Sequence, residues 1–179
     1  KPTAWRLGNV AGAANTLTAT SSAQTATFTV TGIAGAPKKL GFAVQPSSAA
    51  VGAAINAIKV FVLDSLGNLT TSTDSVTLSL SNNPGAATLG GTLTSAAVAG
   101  TAIFGNVTLN ASGSGYTLLA TSGTLSLAIS DAFDAFGAAT KLAFLTVPST
   151  VSAGAIVTPA VRVAVQDALA ERNRDRTAD

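Results

Sequence analysis

Residues 39–68 and 141–169 are one stretch written twice. KLGFAVQPSSAAVGAAINAIKVFVLDSLGN returns as KLAFLTVPSTVSAGAIVTPAVRVAVQDAL. Lys39, Pro46 and Gly52 recur 102 positions on as Lys141, Pro148 and Gly154. Lys59 and Asp64 recur 103 positions on as Arg162 and Asp167, so one residue is inserted between. A period this long is a whole small domain rather than one turn of a solenoid.

Each copy reads as two strands. Leu40, Phe42 and Val44 alternate with Lys39, Gly41 and Ala43, and Pro46 ends the ladder because it has no N–H to donate. Ile58, Val60 and Val62 form the next period-2 row, with Lys59 on the opposite face. Val161, Val163 and Val165 repeat that row, with Arg162 opposite. A cation inside an apolar run fixes which face is wet, since a one-residue slip would bury it.

Composition narrows the class. Of 179 residues, 47% are hydrophobic, 10% charged and 5% aromatic. No apolar run reaches the roughly 18 residues that would mark a membrane span. A net charge of +2 without a basic stripe or interleaved aromatics is no nucleic-acid signal. The absence of Cys excludes disulfides and thiol chemistry, and the absence of His removes the commonest general base and metal ligand. The chain begins at Lys1 without Met, and is read as a fragment of something longer.

Taken in order, residues 1–36 read as the C-terminal part of a domain. The run 15–20, NTLTAT, matches 116–121, YTLLAT, with Leu17 and Ala19 expected inward. Phe28 and Val30 are expected inward on the next strand, and Pro37 stiffens the short linker that follows. Residues 38–137 read as one complete unit. After the two strands above come an Asp64-Ser65-Leu66-Gly67-Asn68 turn, a strand with Val76, Leu78 and Leu80 inward, and an Asn82-Asn83-Pro84-Gly85 turn. Ala102, Phe104, Val107 and Leu109 follow, then Tyr116, Leu118 and Ala120, then Leu125, Leu127 and Ile129 as the last inward row. Short strands with turn signals every 8–12 residues and no credible helix define an all-β antiparallel sandwich. Phe42, Phe104, Tyr116, Val60 and Val62 are its expected structural core. Residues 139–169 read as the N-terminal part of a third unit. Residues 170–179 read as a charged tail, disordered or non-native, because it holds six of the eighteen charged residues. Where the first copy has Gly67-Asn68, this copy has Ala170-Glu171.

The complete unit resembles bacterial immunoglobulin-like repeats of the invasin/intimin type (Big domains). The residues that carry the likeness are IKVFVLDSLGN at 58–68, SVTLSL at 75–80, GTAIFGNVTL at 100–109 and GYTLLATS at 115–122. The stretch 5–20, which opens at Trp5, looks like the closing half of the same module. The resemblance implies tandem immunoglobulin-like sandwiches, one complete and two partial, linked end to end as a stalk on the bacterial cell surface or in a secreted adhesin. The implied partners are neighbouring repeats of the same chain. Contact with a host or cell-surface protein or glycan would belong to another domain.

Few residues stand out as sites. Tyr116 follows a Gly-rich loop and resembles the tyrosine-corner position, where the hydroxyl bonds to nearby backbone. Asp131, Asp134 and Asp64 are weak Ca²⁺ candidates at turns and boundaries, since Ca²⁺ takes six to eight oxygens. Phe61, Leu63 and Leu119 point outward in one copy where others carry small or polar residues, which marks a candidate contact patch. Asn68, Asn106 and Asn110 begin N-x-[ST] sequons without functional weight in a bacterial protein. Catalysis is not expected, and no cofactor is called for. The carboxylates before the tail are scattered, and one Trp and one Tyr cannot line the aromatic cleft of a glycosidase. The alternative to a spacer is a carbohydrate- or protein-binding module appended to a secreted enzyme or adhesin, which would need an aromatic platform or a pocket. Lateral self-association through sheet edges is a third reading.

Overall fold

The computed structural model describes residues 6–167 and the backbone of residues 172–176. Trp5, and the residues on either side of 172–176, lie outside the described residues. Every described element is a strand, and no helix occurs among the described residues.

Strands β1 (Ala14–Ser21) and β2 (Gln24–Thr31) form an isolated antiparallel hairpin with Leu17 opposite Phe28. Alternate Thr and apolar residues suit a two-sided ribbon. The expected inward row is bare here: Leu17 is 49% and Phe28 58% exposed. No second sheet among the described residues faces it.

The sandwich follows. One layer holds β3 (Lys39–Val44), β5 (Ile58–Leu63) and β9 (Thr101–Phe104), in the order β3-β5-β9. The other holds β4 (Ala49–Ala50), β6 (Ser75–Asn82), β8 (Thr94–Ala96), β11 (Gly113–Thr121) and β13 (Phe133–Phe136), in the order β4-β13-β11-β6-β8. The short β12 (Ala128–Ile129) pairs with β11, and β7 (Leu89–Gly90) with β10 (Thr108–Leu109) makes a small ribbon at the side. The inner faces meet in one core. Leu40, Ile58, Val60, Val62, Ala102 and Phe104 come from the first layer; Val76, Leu78, Tyr116, Leu118 and Ala120 come from the second. Phe42 is half-buried and packs against that core. This is the period-2 pattern of each strand made physical.

Two strand readings are corrected. The sandwich is not wholly antiparallel, because β13 and β4 pair in parallel, Ala135 beside Ala49. The row Leu125, Leu127 and Ile129 does not form the last inward strand: Leu125 packs against the core, but Leu127 is 55% and Ile129 54% exposed. The chain leaves β11 after two paired residues, where the Ser130 hydroxyl accepts the Leu118 N–H at 2.9 Å. It then returns as β13, whose Phe133 and Ala135 are buried. Gly115, at φ 84°, bends β11 between its β13-paired start and its β6-paired end.

The second copy of the repeat makes β14 (Lys141–Thr146) and β15 (Arg162–Gln166). Its register matches the first copy: Leu142 faces Val165 as Leu40 faces Val62. Each ladder carries one irregularity, between Phe42 and Val44 and between Phe144 and Thr146. The expected inward face is uncovered, with Leu142 71% exposed where Leu40 is 5%. The described residues therefore hold one two-layer sandwich, a two-stranded hairpin before it and a separate sheet after it. The sequence reading assigns no strand to residues 170–179, whereas β16 (Arg172–Arg176) pairs antiparallel with β15.

Candidate functional site

A polar cluster lies where the hairpin meets the sandwich. Strand β5 ends at Leu63, and the next residues turn sharply, Gly67 taking φ 91°. Asp64 caps that turn. Its Oδ1 accepts the N–H groups of Leu66 and Asn68, each at 2.9 Å. Its Oδ2 accepts the Asn68 amide at 2.9 Å and, from the linker, the Gly35 N–H at 2.9 Å. Asp64 is 2% exposed, yet its carboxylate is filled by four N–H donors. The Asn68 amide first, then the Gly35 N–H, hold its carboxyl well below the usual 3.8; burial opposes them, and the Asn68 and Leu66 N–H groups add to them.

Asn68 carries the connection further. Its side-chain oxygen accepts the Ala11 N–H at 2.9 Å, and its amide also donates to the Asn9 carbonyl at 3.0 Å. One turn of the sandwich therefore holds both the linker and the entry to the hairpin.

The joint repeats. Gly137 donates to Asp167 Oδ2 at 2.8 Å, as Gly35 does to Asp64. Thr140 donates to the Gln166 carbonyl at 2.9 Å, as Lys38 does to Leu63 at 2.8 Å. A Cβ at Gly137 would stand 2.9 Å from Asp167 Oδ2, so the linker approaches the acid too closely for a side chain. Sequence reading took Asp64 as a turn residue and missed this clamp. The signal was available, because Gly35 and Asp64 recur together as Gly137 and Asp167.

The other sequence candidates are dispersed. Asp134 Oδ1 accepts the Ser114 hydroxyl at 2.6 Å and the Gly115 N–H at 2.9 Å. The Asp131 N–H donates to Gln45 Oε1 at 3.0 Å. Asp64, Asp131 and Asp134 are not brought together, and no group of three acidic side chains is placed to hold a metal among the described residues. Phe61 and Leu63 are half-buried on the outer face of β5; Leu119 is half-buried on the outer face of β11, in the other layer. These three do not form one patch. Asn106 and Asn110 are tied to backbone: their side-chain oxygens accept the Thr92 and Thr88 N–H groups.

Tyr116 is fully buried, its ring tilted against Phe133 at 6.1 Å between centroids. Its hydroxyl donates to the Ala111 carbonyl at 3.0 Å, with the Ser112 carbonyl at 3.3 Å. Burial pushes its pKa up, and the Gly85 N–H opposes that.

Concavities flank the joint. A groove of about 550 Å³ runs beside Ile33, Pro37 and the 70–74 segment, Thr-Thr-Ser-Thr-Asp. Another of about 360 Å³ lies between residues 7–11 and the 64–68 turn. No aromatic residue lines either one.

No family model and no curated protein matches this sequence. Solved structures are similar to it. Domains 4–9 of the surface layer protein SbsC match over 94% of this chain and 26% of that one, at 20% identity and a TM-score of 0.38. Domains 1–6 of the same protein match over 94% and 21%, at 19% identity and a TM-score of 0.42. This chain thus spans between a fifth and about a quarter of the length of those structures.

Proposed function

We propose that this chain is a non-catalytic spacer, a run of immunoglobulin-like sandwiches joined end to end in the stalk of a bacterial cell-surface or secreted adhesin-like protein. The observation that carries this reading is the repeated joint, Gly35 on Asp64 and Gly137 on Asp167. Polar groups that another fold would aim into a cleft are here used to hold one unit to the next. The boundaries 1–36, 38–137 and 139–169 are the units of this reading, and their partners are each other. The setting outside the cell is what the resemblance to invasin/intimin-type repeats implies. In this reading the Asp64 oxygens serve the joint by accepting N–H groups.

The groove beside Pro37 favours a second reading, a carbohydrate-binding module, since it is lined by four hydroxyl side chains and Asp74. A glycan array probed with the whole chain separates the two. The spacer predicts no saturable binding to any glycan. Saturable binding that is lost in Thr71→Lys would replace it with the module.

A further inference from the structure

Two neighbouring sandwiches joined by a short linker move relative to one another unless their interface restrains them. The hairpin β1–β2 shares no sheet with the sandwich. Hydrogen bonds from a single turn nevertheless cross to it. Asn68 takes the Ala11 N–H and gives to the Asn9 carbonyl, on the chain entering the hairpin. Asp64 takes the Gly35 N–H, on the chain leaving it. The amide of Asn68 also bonds Asp64 Oδ2, so the two grips are mechanically one. Held at both ends, the hairpin loses hinge rotation about the linker as well as displacement from it. Charge-assisted bonds to a carboxylate are roughly twice as strong as neutral ones, which suits a group under load.

We propose that the 64–68 turn is a joint lock: Asp64 and Asn68 together fix the preceding unit's two chain ends, so that hairpin and sandwich move as one body. Asp167 holds the next linker at Gly137 in the same way. In sequence, Ala170-Glu171 stands in the second copy where Gly67-Asn68 does in the first. This rests on the spacer reading only for the purpose of stiffness; the lock itself is geometry.

The chain contains no Cys, so two introduced thiols are its only labelling sites. Thr18→Cys on β1 and Ser79→Cys on β6, both exposed, report the hairpin-to-sandwich distance by pulsed electron resonance of attached spin labels. The whole chain is expected to give a narrow distance distribution. Asn68→Ala removes the bonds to Asn9 and Ala11 and the amide bond to Asp64 Oδ2, and leaves the backbone N–H of residue 68 on Asp64. It is expected to broaden the distribution about twofold or more while unfolding stays a single cooperative transition, its midpoint lowered by the donor that Asp64 loses. A narrow wild-type distribution that Asn68→Ala leaves narrow overturns the lock and spares the spacer. A broad wild-type distribution overturns the lock and removes the stiffness that the spacer reading uses.

Discussion

The hydroxyl of Tyr116 reaches across the loop before its own strand to the Ala111 carbonyl, and Gly85 packs directly on it. A Cβ at Gly85 would overlap both that hydroxyl and the Ser112 carbonyl. Gly85→Ala is therefore expected to cost about 1–3 kcal/mol, the price of overpacking. Gly105→Ala, which meets open space, is expected to stay within about 0.5 kcal/mol. Urea denaturation of the two variants compares them. Tyr116→Phe is expected to cost about 1–2 kcal/mol, because the partly buried Ala111 carbonyl loses its donor. Burial raises the folded-state pKa of Tyr116 above its ordinary 10.0. Its contribution is whole below that value and is lost as pH rises through the folded pKa, since the unfolded chain releases the proton first. Melting temperature should fall above about pH 10 less steeply in Tyr116→Phe than in the wild type. Asp64 behaves in the opposite sense. The unfolded carboxyl takes a proton near 3.8 and the folded one only at lower pH. Its contribution is present above the ordinary value and drains away as pH falls below it. Asp64→Asn should lower stability at neutral pH and flatten the acid limb of a melting curve taken between about pH 6 and pH 2.

At the scale of elements, the strands that read correctly are those whose inward residues alternate without interruption. Val60 with Val62 and Leu118 with Ala120 are fully buried, as their period-2 rows require. Leu125 packs against the core, but Leu127 and Ile129, which continue the same alternation, face out, because alternation names two faces without saying which one is covered. Beyond them Ser130 ties the chain to β11 twice, its hydroxyl accepting the Leu118 N–H and its N–H donating to the Leu118 carbonyl, contacts with no apolar signature. The true last strand, Phe133–Phe136, was hidden because Asp131 and Asp134 around it read as a boundary loop. Asp64 was visible as a turn residue, but its partner Gly35 lies 29 positions earlier in a linker, where a glycine carries no chemistry of its own. Only the two copies set side by side expose the pair. Tyr116 was readable because a Gly-rich loop directly before a strand limits where a tyrosine hydroxyl can reach.

For the whole molecule, the contrast between the copies is informative. Leu40 is buried and Leu142 is bare, although their strands share register. The difference lies in the layer that faces them: β11 and β6 cover the first copy, and no described strand covers the second. Among the described residues every buried side-chain nitrogen or oxygen has a hydrogen-bond partner, so the polar groups serve turns, strand ends and joints. A rod made of such units depends on each complete one standing alone. The most direct measurement is equilibrium unfolding of residues 38–137 expressed by themselves. The prediction is a single cooperative transition, monitored together by β-sheet circular dichroism and by the near-ultraviolet signal of Tyr116, with the slope expected of a domain of about 100 residues. A polypeptide without a cooperative transition, or one that folds only when the 1–36 or 139–179 segment is attached, would contradict the claim.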